Sequence, residues 1–588
     1  MVASRTSSVL ALLLLAGCGS VPDPTTGTAP AFEFRRWSAD AFAEAKAEHK
    51  LVLLDLGTTW CHWCHVMAQT TYADAAVRAV LAAHFVAIEE DADRRLDLAA
   101  RYQDFGWPAT VVFDADGREL WKNRGYVPPE RMHAVLQRLV ADPSPLPAVA
   151  IASATTAAAA LDEATRGELR QRLAALRDGD QGGFGFVHKY LDLAGAEWLL
   201  LQAQRGDEAA RDDLQRWLAA ERQLHDPVWG GAYQYSHGGV WTNPHFEKVM
   251  VRQLADLRAY SLAYGCFGDR EHLTAAQNVA RFLTGMLRAP NGAFYASQDA
   301  DLVRGEHAAE YFARDDAGRR AAGLPHIETS IWSRENGQAL QGLCALLAVA
   351  PDDALLATVR EATDWLLRHR RRYDGLFRHD AEDRGGPFLA DSLEMATALA
   401  ALAEVTADAQ LLSQARQTVL AIDATLRAPA GGHATALGDV VLPPIVDRGE
   451  NLQLARLGNR LFHATGDARL RAIAERAFAG AAAQAAAPGA SAELLLADDE
   501  LGREPVHVVV TGARDDAAAV ALHRAALRHA PNYRRIDWVV PGEPPLRSDT
   551  PPAGDVATAF VCADGACSAP LHDPTALRTL LLAPSAAR

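Results

Sequence analysis

The 588-residue sequence predicts an α/β domain, then a mainly α domain of paired helices, then a short return to α/β. Three observations predict it. Strand-like apolar runs alternate with amphipathic stretches over residues 32–142, and again after residue 491. Between them the strand signal fades and Ala-rich amphipathic helices follow one another in pairs. A turn-and-helix plan repeats in that region, with a period of about 55–60 residues where no insertion intervenes. A chain of this length exceeds one ordinary core, so several domains are expected.

Composition is that of a globular protein: 49% hydrophobic and 22% charged residues, with a mean hydropathy of −0.08. The formal net charge of −16 and the lack of a basic run exclude a nucleic-acid surface. Residues 1–18 read as a targeting signal: Arg5, the apolar run 9–15, then Ala16-Gly17-Cys18. The run is too short to span a bilayer. L-A-G-C resembles the lipobox of bacterial lipoproteins, which implies cleavage before Cys18 and acylation of its thiol. The alternative is an ordinary signal peptide with an incidental cysteine. The expected location is the bacterial cell envelope, periplasmic side, with this lipid anchor as the membrane contact. Residues 19–31 (GSVPDPTTGTAPA) read as a flexible tether.

The first domain spans residues 32–142. The amphipathic stretch ADAFAEAKAEHK precedes the strand-like run LVLLDLG, and TTWCHWCHVM follows at once and opens a helix. HFVAIEED is a second strand. FGWPATVVFDADGREL reads as two strands joined at Asp116-Gly117. The helical PPERMHAVLQRLV closes the domain, and Pro143, Pro145 and Pro147 mark a linker over 143–154.

Cys61-His-Trp-Cys64-His65 matches the attachment signature of a c-type haem. Its surroundings favour a dithiol. A strand leads directly into the motif, and a helix begins at it. Asp55 lies six positions before Cys61, and Trp107-Pro108 precedes the strand ATVVF. These features, with Trp60, resemble a thioredoxin. That likeness implies an acidic group beneath the second cysteine to handle its proton, here Asp55. It also implies a cis-proline against the dithiol, here Pro108, shaping a groove with Trp60 and Trp107. Cys61 at the helix N-terminus is the expected attacking and more exposed thiolate, and Cys64 the resolving thiol. His62, when protonated, stabilises the thiolate, and Trp63 limits access or stacks on a partner. His65 is expected on the helix surface or groove. Haem would need a second axial ligand, and Met67 is too close in sequence to serve. Zinc lacks a fourth ligand of suitable spacing. No metal or cofactor is expected. The expected partner is a thiol or disulfide protein, with a membrane electron donor among the candidates.

The helical domain spans residues 155–490. QRGDEAARDDLQRWL, YGCFGDREHLTAAQNVARFL, VAPDDALLATVREATDWLL, VTADAQLLSQARQTVL and ATGDARLRAIAERAF share an apolar helix end, a Gly/Asp turn and an Ala-rich helix. Aspartate after the turn is a natural N-cap. About six hairpins result, the first and last indistinct, in an open solenoid or a closed toroid. Long Gly- and aromatic-rich loops between them are where function concentrates. Residues 491–588 return to α/β: VHVVVTG and RIDWVV are strands around the helix DDAAAVALHRAALRHA. Cys562 and Cys567 enclose a turn and suit a small disulfide in an exported protein. Cys266 and Cys344 sit in apolar helical surroundings and are expected as buried thiols.

CHWCHVM, GWPATVVF, GGFG, NPHFEK, GAFYASQDAD and VCADGACSAP, in this order, resemble a two-domain family, that of the spermatogenesis-associated thioredoxin-domain protein. The family joins a thioredoxin-like domain to an (α/α)6 toroid similar to six-hairpin glycosidases and N-acylglucosamine epimerases. The resemblance implies inner-helix ends and long loops around a central pocket. The residues expected to line it are Tyr233, Tyr235, Trp241, His245, Glu247, Asp299, Asp301, Glu310, Trp332, Glu335, Asp391 and Glu394. Aromatic faces and paired carboxylates there suit a sugar or another small molecule. Two departures stand out: EEDADRRLD lacks the family's proline, and Lys189-Tyr190-Leu191 replaces its Lys-Phe-Pro. The expected function is exported thiol–disulfide exchange, with the toroid binding substrate or partner. The alternatives are a carbohydrate-active protein with an accessory thioredoxin domain, and a non-catalytic binding protein.

Overall fold

A computed structural model describes residues 32–144, 160–438, 441–486, 491–529, 531–543, 547, 550, 556–563 and 566–583. The leader, Cys18 and the tether lie outside the described residues, as does most of the linker.

The N-terminal domain is built on β1 (Leu51–Gly57), β2 (Phe85–Asp91), β3 (Ala109–Phe113) and β4 (Glu119–Arg124), in the order β2-β1-β3-β4. β1 runs parallel to β2 and antiparallel to β3. Strand alternation sorts its side chains onto two cores. Val52, Leu54 and Leu56 pack with Trp37, Phe42 and Phe113, whereas Leu53 packs with Met67, Tyr72 and Met132. The helices are α1 (Ala39–Ala47), α2 (His62–Thr70), α3 (Ala75–His84), α4 (Leu96–Tyr102) and α5 (Pro129–Ala141). Cys61 is the N-cap of α2, its Sγ accepting from the Cys64 amide at 3.1 Å.

The helical domain contains α6 (Glu163–Ala175), α7 (Leu193–Gln204), α8 (Glu208–Glu221), α9 (Met250–Phe267) and α10 (Arg270–Phe282). The short α11 (Ala309–Phe312) and α12 (Asp316–Ala322) lie in a long loop. Then come α13 (Ser333–Val349), α14 (Asp353–His369), α15 (Leu389–Thr406), α16 (Ala409–Leu426), α17 (Arg448–Thr465), α18 (Ala468–Ala482) and α19 (Ser491–Leu501). Helices α7, α9, α13, α15, α17 and α19 form an inner ring in which each touches the next and α19 closes on α7. Helices α8, α10, α14, α16, α18 and α6 pack outside their partners, giving an (α/α)6 toroid. Asp207, Asp269, Asp352, Asp408 and Asp467 cap the outer helices as the repeat predicts. The expected boundary at residue 490 is corrected: the sixth inner helix runs to Leu501. Its outer partner is α6, from the opposite end of the domain, so ring closure hides this hairpin from a local repeat.

Short strands cluster at the N-terminal ends of the inner helices. These are β5 (Tyr235–Ser236), β6 (Pro244–His245), β7 (Lys248–Val249), β8 (Ser297–Gln298) and β9 (Ile327–Glu328), with β7, β8 and β9 in one antiparallel sheet. The thioredoxin-like domain sits on this face. At the other end lies the C-terminal segment: β10 (Val506–Thr511), α20 (Ala517–His529), β11 (Arg534–Val539), β12 (Thr558–Ala563), β13 (Ala566–Cys567) and α21 (Pro574–Leu582). There α20 packs on α9 and α13, and Arg534 pairs with Glu404 at 2.7 Å. Cys562 and Cys567 face each other across β12 and β13 and form a disulfide. Cys344 is a buried thiol, whereas Cys266 is half-buried. No helix among the described residues is long and apolar enough to cross a membrane.

Candidate active site at the domain boundary

Cys61 and Cys64 form a disulfide at the start of α2. The Trp107-Pro108 peptide is cis, and Trp107 packs with Trp60, Cys61, Cys64 and Val249. Asp55 lies on the same strand face as Gly57, whose added Cβ would meet Cys64 Sγ at 3.1 Å. Its Oδ1 is buried without a partner. Burial first, and then Glu89, push its carboxyl up to about 7.

The sulfurs face the toroid. Cys61 is 5% exposed and is buried in one cluster with Trp60 and with Val249 at the head of α9. Cys64 is half-buried. The expectation that Cys61 is the more exposed thiol is therefore corrected; the helical domain covers it. Trp60 is buried as well, donating to Asp93 at 2.6 Å. Arg334, in the first turn of α13, reaches the same carboxylate at 2.8 Å. Trp63 is 39% exposed, its ring 5.8 Å from that of Tyr126.

Asp301 holds both histidines of the motif. Its Oδ1 lies 2.8 Å from His62 Nδ1, and its Oδ2 lies 3.1 Å from His65 Nδ1 and accepts the Gly305 amide at 2.8 Å. His65 Nε2 bonds the Thr59 carbonyl at 3.0 Å. His65 is thus buried between domains, not on a free helix surface or groove. The side chain of His62 turns to Asp301. The bond to Asp301 holds its imidazole above the ordinary 6.5, against burial. Burial would raise Asp301, but the bonds from His62 and His65 outweigh it and hold the carboxyl well below 3.8.

Two further toroid carboxylates lie here. Asp299 accepts the Asp301 amide through Oδ1, and its Oδ2 is buried without a partner. Burial raises it to about 6. Glu247 is 3% exposed, and its Oε2 also has no partner. Burial raises it to about 7, with Asp299 and Asp301 adding to the effect. His245 lies 3.9 Å from Glu247 and stacks on Tyr235 with ring centroids 4.3 Å apart. Burial, with the His237, His62, His188 and His307 rings, lowers His245 to about 4.

Three donors, His65, Asp299 and Asp301, lie within 4.8 Å of one another, as do Glu221, His225 and Asp256 deeper in the toroid. In each set the histidine already bonds a carboxylate of the set, at 3.1 Å in the first and 2.9 Å in the second. We read both as hydrogen-bonded charge clusters.

The toroid does hold a cavity of about 540 Å³, between the inner helices and the C-terminal segment. Asp192, Arg252, Gln338, Gln341, Glu394 and Glu493 are among its lining residues. Of the residues expected to line a central pocket, Glu394 alone does so. Tyr233, Tyr235, Trp241, His245, Glu247, Asp299, Asp301, Glu310, Trp332, Glu335 and Asp391 are elsewhere. Trp241 is a buried packing residue that donates to the Gln181 carbonyl at 2.8 Å. Asp301 instead bonds His62 and His65 of the dithiol motif, with Asp299 and Glu247 close to it. Sequence reasoning missed this partnership and missed Asp93, which lies in the divergent segment EEDADRRLD. The two-residue spacing of Asp299 and Asp301 was the available signal.

Residues 27–141 match the family model described as Thioredox_DsbH, protein of unknown function, DUF255. The N-terminal domain is a DsbH/DUF255 thioredoxin-like domain. Mouse spermatogenesis-associated protein 20 is 27% identical over 303 residues, 45% of this chain and 38% of that protein. The chain thus matches about two fifths of the length of these curated relatives. The thiol:disulfide interchange protein DsbD of Ralstonia nicotianae is 40% identical over 85 residues, 14% of each chain. Among solved structures, cellobiose 2-epimerase from Bacillus thermoamylovorans is 14% identical, with a TM-score of 0.40 over 54% of this chain and 87% of that one. The DUF255 domain fused to an (α/α)6 toroid is the two-domain architecture that the sequence resembles.

Proposed function

We propose that the chain carries out thiol–disulfide exchange at Cys61 and Cys64, in an active site walled by both domains. One observation carries this reading: the disulfide sits at the N-terminus of α2 on a thioredoxin frame, with the buried Asp55 carboxylate on the strand face beneath it. Reduced Cys61 attacks a partner disulfide. The partner's S–S bond breaks, and its leaving sulfur carries off the electron pair. Cys64, deprotonated with help from Asp55, then attacks Cys61 in the mixed disulfide. The Cys61–Cys64 bond forms and the second partner thiolate leaves, so the dithiol is oxidised and the partner reduced. The reverse sequence oxidises a partner dithiol. The partner is a thiol or disulfide compound. We also place the protein in the cell envelope, lipid-anchored through Cys18, on the strength of the L-A-G-C motif.

The test uses reduced Cys64→Ser protein with oxidised glutathione. A mixed disulfide on Cys61, detected by mass spectrometry, supports the reading. A wild-type potential below about −300 mV, with no adduct in the variant, would mean a structural bridge and defeat it.

A second reading rests on the cavity. Glu394, held there by Gln338 and Gln341 at 3.3 and 2.5 Å, and Arg252, whose Nε has no partner, suit a small polar ligand such as a sugar. A thermal-shift panel of mono- and disaccharides checks it, and no shift with any member defeats it.

A further inference from the structure

The toroid contributes more than a wall to the dithiol. Residues 247–249 enter α9 as extended backbone, and side chains two apart share a face of such a segment. Val249 faces Cys61. Lys248 turns the opposite way, to Asp226 at 2.7 Å and the Gly230 carbonyl at 2.8 Å. Glu247 therefore shares the dithiol face with Val249. Its carboxylate is within reach of the backbone amide of His62, the residue after Cys61. The groups that face it are His62 of α2, His245 of β6, Tyr235 of β5, and Asp299 and Asp301 after β8. Glu247 Oε2 is buried and accepts from none of them.

A buried carboxylate with a free oxygen, at the amide of the residue that follows a cysteine which must lose a proton, is placed for acid–base work. We propose that Glu247 is the proton acceptor and donor for Cys61, as Asp55 is for Cys64. The two sulfurs are then served by carboxylates from different domains.

The step balances. Glu247 takes the proton of the Cys61 thiol, leaving a thiolate and a neutral carboxylic acid. The thiolate attacks the partner disulfide, a new S–S bond forms, and the old one breaks with its electron pair on the leaving sulfur. Glu247 returns the proton to that sulfur. Burial raises the carboxyl to about 7, so both of its forms are populated near neutral pH.

This inference rests on the exchange function proposed above, and the experiment separates the two. The Cys64→Ser background leaves Cys61 as the single active-site thiol, and alkylation by iodoacetamide reports its thiolate without any disulfide partner. The rate-against-pH profile is expected to bend near pH 7. Glu247→Gln should remove that inflection and lower the rate at pH 7 by about 100-fold. A Glu247→Gln profile that superimposes on the parent overturns the assignment, whatever oxidised glutathione does. If Glu247→Gln does not fold, Glu247→Asp decides. Shortening the carboxylate should shift the inflection and slow the reaction at pH 7, and an unchanged profile overturns the proposal. Failure of adduct formation with oxidised glutathione, beside a normal alkylation profile, defeats only the exchange reading.

Discussion

His62 Nδ1 and Asp301 Oδ1 meet at 2.8 Å, although 239 positions separate them in sequence. The same carboxylate takes His65, so one aspartate fastens the dithiol helix to the toroid. Replacing Asp301 with asparagine removes the charge that draws both rings. Docking should weaken by about 1–3 kcal/mol, the usual cost of leaving buried polar groups poorly satisfied. Reduced Cys61 should then react faster with a bulky maleimide than in the parent. Equal maleimide rates and equal melting temperatures would show that Asp301 does not hold the domains together.

The same pair gives docking a pH optimum. Asp301 is held below its ordinary 3.8, so its contribution is present above that value and lost as pH falls through the depressed one. His62 is held above 6.5, so its contribution is complete below 6.5 and lost as pH rises through the raised value. Limited proteolysis between the domains should be slowest between about pH 4 and 6.5 and should speed up toward pH 9. A flat profile over that range would falsify the link.

Burial raises Asp55 to about 7, so stability falls as pH climbs from the ordinary 3.8 toward 7 and stays lowered above it. Asp55→Asn should stabilise the protein at pH 8, by on the order of a few kcal/mol at most, and change little at pH 4. Resolution of the mixed disulfide should slow in the same variant. Chemical denaturation at the two pH values checks the first outcome, and single-turnover exchange the second.

Asp226 is fully buried between Lys248 and Arg319, each at 2.7 Å and each fully buried. Asp226→Ala strands two cations in the toroid interior, at a cost of about 3–5 kcal/mol. Because Lys248 is anchored opposite Val249, hydrogen exchange in β7 should rise as well. A melting temperature within a degree or two of the parent would contradict this.

The Cys562–Cys567 disulfide closes a short loop at an exposed strand end. Its removal by double serine substitution should cost about 2 kcal/mol and raise exchange locally in β12. The Cys61–Cys64 reaction should keep its rate. A lowered rate would instead point to a relay between the two disulfides.

Local signals were legible in the sequence. Asp55 and Pro108 stand at fixed offsets from a dithiol on one strand–helix unit, and the aspartate caps of the outer helices recur at every turn. What was not legible depends on contacts across the chain. The sequence marks Glu247, Asp299 and Asp301 as chemically apt for a pocket, but the histidines that Asp301 bonds lie in another domain. The exposure of Cys61 was misjudged for the same reason, since a docked neighbour leaves no local trace. The sixth hairpin joins α6 to α19, so its repeat is split between the ends of the domain. The real cavity draws on inner-helix residues such as Arg252 and Gln341, which look like ordinary helix sequence.

The Pro-rich linker invites the chain to be treated as a reductase joined to a passenger. The buried face of Cys61 argues against that division. Val249 of its cluster belongs to the toroid, and so does Asp301, which bonds both histidines of the motif, so expressing residues 32–142 alone would strip the dithiol of these contacts. The dithiol of such a fragment would be bare to solvent, with a different potential and different substrates. A screen run on the isolated domain would therefore characterise a different surface.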